Sequence, residues 1–180
     1  MATRTLSSKR SIRVDAKKYL TFTLGKDAYG VEILKVQEII RLMEITEVPR
    51  APGFVRGVIN LRGEVIVVVD LRRKFGLPQR ADTDRTCIIV LQVMAPNGQP
   101  LTRGVIVDTV SDVLDLVDEQ LEPPPDLGQG VDVSFIRNVG KTDDRVVIIL
   151  DVDRVLDFVD VLAPVTTTSS SQGGEPCSTT

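Results

Sequence analysis

From residue 18 to residue 162 the apolar positions fall into short β-branched runs cut by Gly, Pro, Asn and Asp. "YLTFTL" (19–24) alternates apolar and polar positions, while "GVIN" (57–60), "EVIVVVD" (64–70), "TCIIVLQV" (86–93) and "RGVIV" (103–107) are nearly continuous. "SDVLDLV" (111–117), "VDVSFI" (131–136) and "RVVIIL" (145–150) complete the set. Runs of this length between turn residues predict strands. Many short strands with few helical stretches predict one small barrel or a pair of them. "KVQEIIR" (35–41) is a further strand, and its alternation puts Val36, Glu38 and Ile40 on one face.

Helical signals are few. "DLRRKFG" (70–76) predicts a single turn, with Asp70 as its cap and Gly76 as its stop. "DVDRVLDFVDVL" (151–162) spaces Val152, Val155, Leu156 and Val159 for one helical face, which predicts a short C-terminal helix.

The chain also repeats itself. "GVEILKVQEII" (30–40) lines up with "GVIVDTVSDVL" (104–114), and "VVVDLRR" (67–73) with "IILDVDR" (148–154). In each half a strand ending in Asp leads into a helical start. The architecture this predicts is two similar five-stranded barrels side by side.

Composition adds the borders. Residues 1–17 carry Arg4, Lys9, Arg10, Arg13 and Lys17 against Asp15 alone, and residues 163–180 are polar and of low complexity. Both predict solvated, disordered tails around a folded region at 18–162. The net charge of −3 argues against a nucleic-acid protein, and 4% aromatic content with no Trp leaves no base-stacking platform. No apolar run approaches the roughly 18 residues of a membrane span. The N-terminus has no apolar core of the secretory kind, and two cysteines are too few for a stapled secreted scaffold. The chain reads as cytoplasmic. Cys87, inside an apolar run, reads as a small buried hydrophobe, and Cys177 lies in the polar tail.

Catalysis has little to stand on. There is no His, which removes the commonest general base. Two distant cysteines make no structural zinc site, and no phosphate-binding or nucleophile-elbow motif occurs. The carboxylate pairs Asp82/Asp84 and Asp143/Asp144 lie in polar turns, where solvated acids are the rule. Neither enzyme activity nor a cofactor is expected.

Three features are candidates for recognition, each with a plain structural alternative. In "NLRG" (60–63) an arginine stands where a plain hairpin turn needs only Asn and Gly. One reading has Arg62 holding Glu38 in a bidentate pair that leaves donors free for a ligand. The other has Arg62 as a solvated turn residue and Glu38 as a strand-edge charge that discourages aggregation. "EPPPDLG" (122–128) stiffens the chain before Leu127, which either anchors a partner or packs on its own barrel. Gly57 is either the site of a close backbone approach or a strand breaker.

"YLTFTLGKDAYGVEILKVQEI", "RAPGFVRGVINLRGEVIVVVDLRRKFG" and "VIVDTVSDVLDL" closely resemble the CheW family of bacterial chemotaxis coupling proteins, over Lys18 to Leu162. The sequence departs from many relatives at Val67, where they have a proline in the strand after "NLRG". The resemblance implies a mainly β fold of two intertwined five-stranded SH3-like β-barrel subdomains with a short C-terminal helix. It also implies an adaptor without catalytic activity or cofactor, bridging the cytoplasmic tip of methyl-accepting chemoreceptors to the regulatory domain of the histidine kinase CheA. Carried over, the receptor-binding residues are Val36, Glu38, Gly57 and Arg62, with Gly104, Val110 and Val113 from the second half. Asp126 and Leu127 match a loop used in ring contacts with the kinase, although Glu122 nearby differs in charge from some relatives. The same module serving another chemosensory-type pathway, such as control of pili or a second messenger, is the alternative. A monomer in dilute solution, recruited to receptor arrays at the membrane, is expected.

Overall fold

Eleven strands form among the described residues, 15–128 and 132–158 of the computed structural model. They are β1 (Lys17–Leu24), β2 (Asp27–Glu32), β3 (Val36–Arg41), β4 (Val55–Leu61), β5 (Glu64–Asp70) and β6 (Cys87–Met94), then β7 (Pro100–Val107), β8 (Thr109–Leu116), β9 (Leu121–Glu122), β10 (Ile136–Lys141) and β11 (Val146–Leu150). One sheet runs β3-β6-β7-β5-β4 and the other β8-β1-β2-β11-β10-β9. β5 with β7 and β2 with β11 are parallel pairs; the remaining neighbours are antiparallel.

Both sheets close on themselves by the same device. Beyond β3, Thr46 returns to β4 and exchanges two backbone bonds with Val58, at 2.9 and 2.8 Å. Beyond β8 the chain makes a single 3-10 turn (Asp118–Gln120) and returns as β9 beside β10. Strand for strand, β3, β6, β7, β5 and β4 of one sheet match β8, β1, β2, β11 and β10 of the other. The N-terminal hairpin β1–β2 thus completes the sheet of the second half, while β6–β7 completes that of the first. The two units are intertwined, as the resemblance had implied, rather than simply side by side as the repeat predicted, and the two-residue β9 makes one sheet six-stranded.

This swap explains the continuous apolar runs. In β6, Ile88 and Val90 point into the small core of the five-stranded sheet with Ile59, Ile66, Val68 and Ile106. Ile89, Leu91 and Val93 point the other way, into the larger core shared with Leu20, Phe22 and Val105. In β11, Val147 and Ile149 fill a third core with Tyr19 and Leu116, while Leu150 joins the shared one. A strand buried on both faces has no polar side to alternate with. Each fully buried aliphatic side chain stabilises the fold by about 1.5–3 kcal/mol.

Two one-turn helices, α1 (Leu71–Lys74) and α2 (Val152–Val155), follow β5 and β11. Asp70 caps α1 as predicted, accepting a bond from the Arg73 backbone N–H at 3.3 Å, and Gly76 takes φ +66° just past its end. The C-terminal helix is shorter than its predicted periodicity. Val152, Val155 and Leu156 are buried, but Val159 and the rest of the predicted face lie outside the described residues. So do most of the N-terminal tail, the whole C-terminal tail and Cys177.

Two strand expectations change. "VDVSFI" is a strand only at Ile136, the first residue of β10: Asp132 Oδ1 accepts from the Ser134 N–H at 2.9 Å and Ile136 N–H donates to Val133 O, so a turn precedes β10. In β3 the alternation is broken by a bulge, since Val36 pairs with Leu91 but Glu38 with Val90. Direct partners share a face, so Val36 turns toward the shared core and Glu38 with Ile40 toward the small one. Two residues opposite one partner advance the strand without flipping its partner, which no single-strand pattern reveals.

Candidate functional site

The β4–β5 hairpin has the shortest kind of connection. Leu61 pairs with Glu64, leaving Arg62 and Gly63 as the two loop residues, with φ of +54° and +88°. Positive φ at both central positions is the backbone that matches the strands' twist. Glycine adopts it freely, whereas arginine gives up about 1–2 kcal/mol. Asn60 holds the turn, its Oδ1 accepting from the Gly63 N–H at 2.8 Å.

Left-handed backbone at Arg62 sends its side chain to the neighbouring edge strand. Nη1 and Nη2 donate to Oε1 and Oε2 of Glu38, both at 2.8 Å. The paired reading of Arg62 therefore holds in the structure. Glu38 is half-buried and Arg62 exposed. Two of the guanidinium's five N–H donors are committed, and a planar fork remains presented on the surface.

Glu38 belongs to a single cross-strand row: Glu38, Val90, Gly104, Val68 and Gly57 are successive partners across the five-stranded sheet. Three of the sequence-predicted positions thus share one row, but the two glycines are interior. A Cβ on Gly104 would meet Ile88 Cγ2 at 2.9 Å. On Gly57 (φ +148°) it would lie 2.1 Å from the Thr46 carbonyl oxygen, so the close-approach reading of Gly57 holds over the strand-breaking one. Both glycines shape the wall behind Glu38 through the backbone.

The other positions lie apart from that row. Val36 is half-buried on the far side of the bulge. Val110 and Val113 are on β8 in the six-stranded sheet, the first packed against the shared core and the second exposed. Asp126 and Leu127 are in the loop after β9. Asp126 Oδ1 accepts from the Gly128 N–H at 2.9 Å, a tight side-chain turn that leaves Leu127 53% exposed. That settles the packing alternative: Leu127 does not bury itself on its own barrel.

One pair escaped the residue-by-residue reading. Arg145, in the β10–β11 hairpin, donates to Asp112 on β8 at 2.9 Å. Asp112 also accepts from the Thr21 hydroxyl at 2.5 Å, and that hydroxyl, then Arg145, hold its carboxyl below the usual aspartate range. The signal was present, because the repeat that aligns 30–40 with 104–114 sets Asp112 against Glu38. Elsewhere, Arg72 of α1 donates from Nε and Nη2 to both oxygens of Asp108 between β7 and β8, and lowers that carboxyl likewise. Cys87 is half-buried, and burial pushes its thiol up, away from reactivity.

Comparison with known proteins agrees with this fold. The family model described as "CheW-like domain" matches residues 18–160. The "Chemotaxis protein CheW" of Klebsiella aerogenes is 36% identical over 149 residues, covering 83% of this chain and 87% of that protein. The protein of the same name from Rhizobium meliloti is 34% identical over 139 residues, covering 77% and 86%. Among solved structures, the scaffolding protein TtCheW from Thermoanaerobacter tengcongensis superposes with a TM-score of 0.71 at 34% identity, covering 79% of this chain and 94% of that one.

Proposed function

This chain belongs to the CheW-like family, and from that premise we propose that it is a non-catalytic adaptor of chemotaxis signalling that couples methyl-accepting receptors to the histidine kinase CheA. The observation that carries the reading is the Arg62–Glu38 pair. An arginine in left-handed backbone, locked to a carboxylate on the neighbouring edge strand and still exposed, is an investment that folding alone does not repay. An exposed pair contributes about 0–1 kcal/mol to stability, whereas an interface arginine is worth about 2 kcal/mol or more in binding.

In this reading Arg62 and Glu38 receive an apolar helix of the receptor tip, with Gly57 and Gly104 shaping the wall, while Val36, Val110 and Val113 are receptor contacts apart from that row. The Asp126–Leu127 turn offers its exposed leucine to the kinase's regulatory domain, a low-entropy anchor on a Pro-stiffened loop. Among the described residues no helix is long and apolar enough to cross a membrane. The adaptor works in the cytoplasm on the face of receptor arrays and is monomeric in dilute solution; a stable homodimer by light scattering would count against the last point.

The test is calorimetric titration of the protein into a CheA-type regulatory domain and, separately, into a receptor-tip helical hairpin. Arg62→Ala is expected to weaken only the hairpin and Leu127→Ala only the kinase domain, with melting curves unchanged. If wild-type protein binds neither partner, the fold is of this family and the coupling function is not.

A further inference from the structure

The molecule repeats its recognition pair. The row Glu38, Val90, Gly104, Val68, Gly57 has its counterpart in the six-stranded sheet. There Asn138 pairs with Ile149, Ile149 with Gly30 and Gly30 with Thr21, whose hydroxyl bonds Asp112. Glu38 and Asp112 therefore hold equivalent places, each beside a register shift on an edge strand. Arg62 comes to Glu38 from the β4–β5 hairpin, and Arg145 comes to Asp112 from the matching β10–β11 hairpin.

Exposed aliphatic side chains repeat as well. Ile39, next to Glu38, is 45% exposed, and Val113, next to Asp112, is 46% exposed. Val65 and Val146, each just past its hairpin tip, are 67% and 55% exposed. One aliphatic side chain in water is ordinary. The same two positions left bare in both halves, each flanking an arginine–carboxylate pair, mark a repeated contact surface.

The two copies differ in charge. Asp143 and Asp144 stand exposed at the second tip, and neither joins an ion pair among the described residues. At the first tip Glu64 is the sole acid, beside Arg62. The second surface is thus net negative around its aliphatic pair, and its complement is an aliphatic segment flanked by Lys or Arg.

We propose that Asp112, Val113, Arg145 and Val146 form a second docking surface, equivalent by internal symmetry to the Arg62–Glu38 site, for a helical receptor-tip segment with aliphatic side chains flanked by basic ones. The proposal rests on the receptor-coupling function above. Val113 and Val146 supply apolar contact, Arg145 keeps donors outward while Asp112 and Thr21 fix its place, and Asp143 with Asp144 draws in the basic flanks.

The experiment titrates a receptor-tip helical hairpin into the full-length protein and into Arg145→Ala, Val146→Ser and Asp143→Asn/Asp144→Asn variants, with a melting curve for each. Arg145→Ala and Val146→Ser are expected to weaken binding about fivefold or more with melting unchanged. The double Asn variant is expected to weaken binding at low salt and to flatten its salt dependence. If Arg62→Ala weakens binding while Arg145→Ala and Val146→Ser leave it intact, the second surface is overturned and the receptor function stands. Wild-type protein that binds no hairpin overturns both. Should Arg145→Ala lower the melting temperature, Val146→Ser decides alone, because its side chain is exposed.

Discussion

Asp70 and Asp151 perform the same act in the two halves. Each accepts from a backbone N–H three residues on, Arg73 and Arg154, at 3.3 Å, and each donates its own N–H to a phenylalanine carbonyl, Phe54 at 2.8 Å and Phe135 at 2.9 Å. Their company differs. Asp70 is buried with Arg56 and Arg73 each 3.5 Å from its carboxylate, whereas Asp151 is half-buried and, among the described residues, pairs with Arg154 alone, at 3.6 Å. Loss of a cap costs about 1 kcal/mol. Asp151→Ala is expected to cost about that, and Asp70→Ala more, because it also strips two guanidinium groups of a partner. Thermal melts of the two variants check this; equal shifts would show that the arginines add nothing.

Gly57→Ala places a methyl group where the Thr46 carbonyl oxygen sits 2.1 Å away, in backbone that other residues avoid. Since Thr46 and Val58 close the five-stranded sheet, the substitution is expected to cost about 2–4 kcal/mol. Gly53, with nothing within 4 Å of an added Cβ, is the control, and Gly53→Ala is expected to leave melting nearly unchanged. Gly57→Ala that melts like wild type would mean that this closure contributes little.

Asn60→Ala removes the side-chain acceptor that holds the Arg62–Gly63 turn. The expected stability loss is about 1 kcal/mol, but binding of the receptor hairpin should fall by more than stability does, because Arg62 is no longer preorganised. In an Arg62→Ala background the effect of Asn60→Ala on binding should vanish. Two independent losses in that cycle would assign Asn60 a role of its own.

The Arg72–Asp108 pair sets an acid limit. Arg72 first, and the Gly25 N–H at 2.8 Å with it, depress the folded-state pKa of Asp108, while burial opposes them. Its stabilisation is therefore complete above the ordinary aspartate range and is lost as pH falls below it, through the depressed folded value. Asp108→Asn is expected to lower the melting temperature at neutral pH, with the gap to wild type narrowing as the solution is acidified. A gap that stays constant into acid would show that the charge is not what stabilises this junction.

The sequence by itself determined most of the strands, though not β2 or the two-residue β9, and with them the Asp70-capped turn, the repeat and the residue types of the candidate site. Those are local properties, set by β-branched runs, Asp before a helical turn, and Asn-x-x-Gly at a hairpin tip. The family resemblance added the fold and the expected surfaces. Tertiary structure alone decided which residues meet. The bulge in β3 turned Val36 away from Glu38, because a register shift depends on the partner strand. Exchange of the β1–β2 and β6–β7 hairpins put apolar residues on both faces of β6 and β11, which a one-sided barrel would not require. Arg62 reached Glu38, and Arg145 reached Asp112, only because each sheet closes on itself and brings a hairpin tip to the opposite edge strand. A chain read in one dimension shows the charges, but the closure that pairs them is a property of the folded sheet.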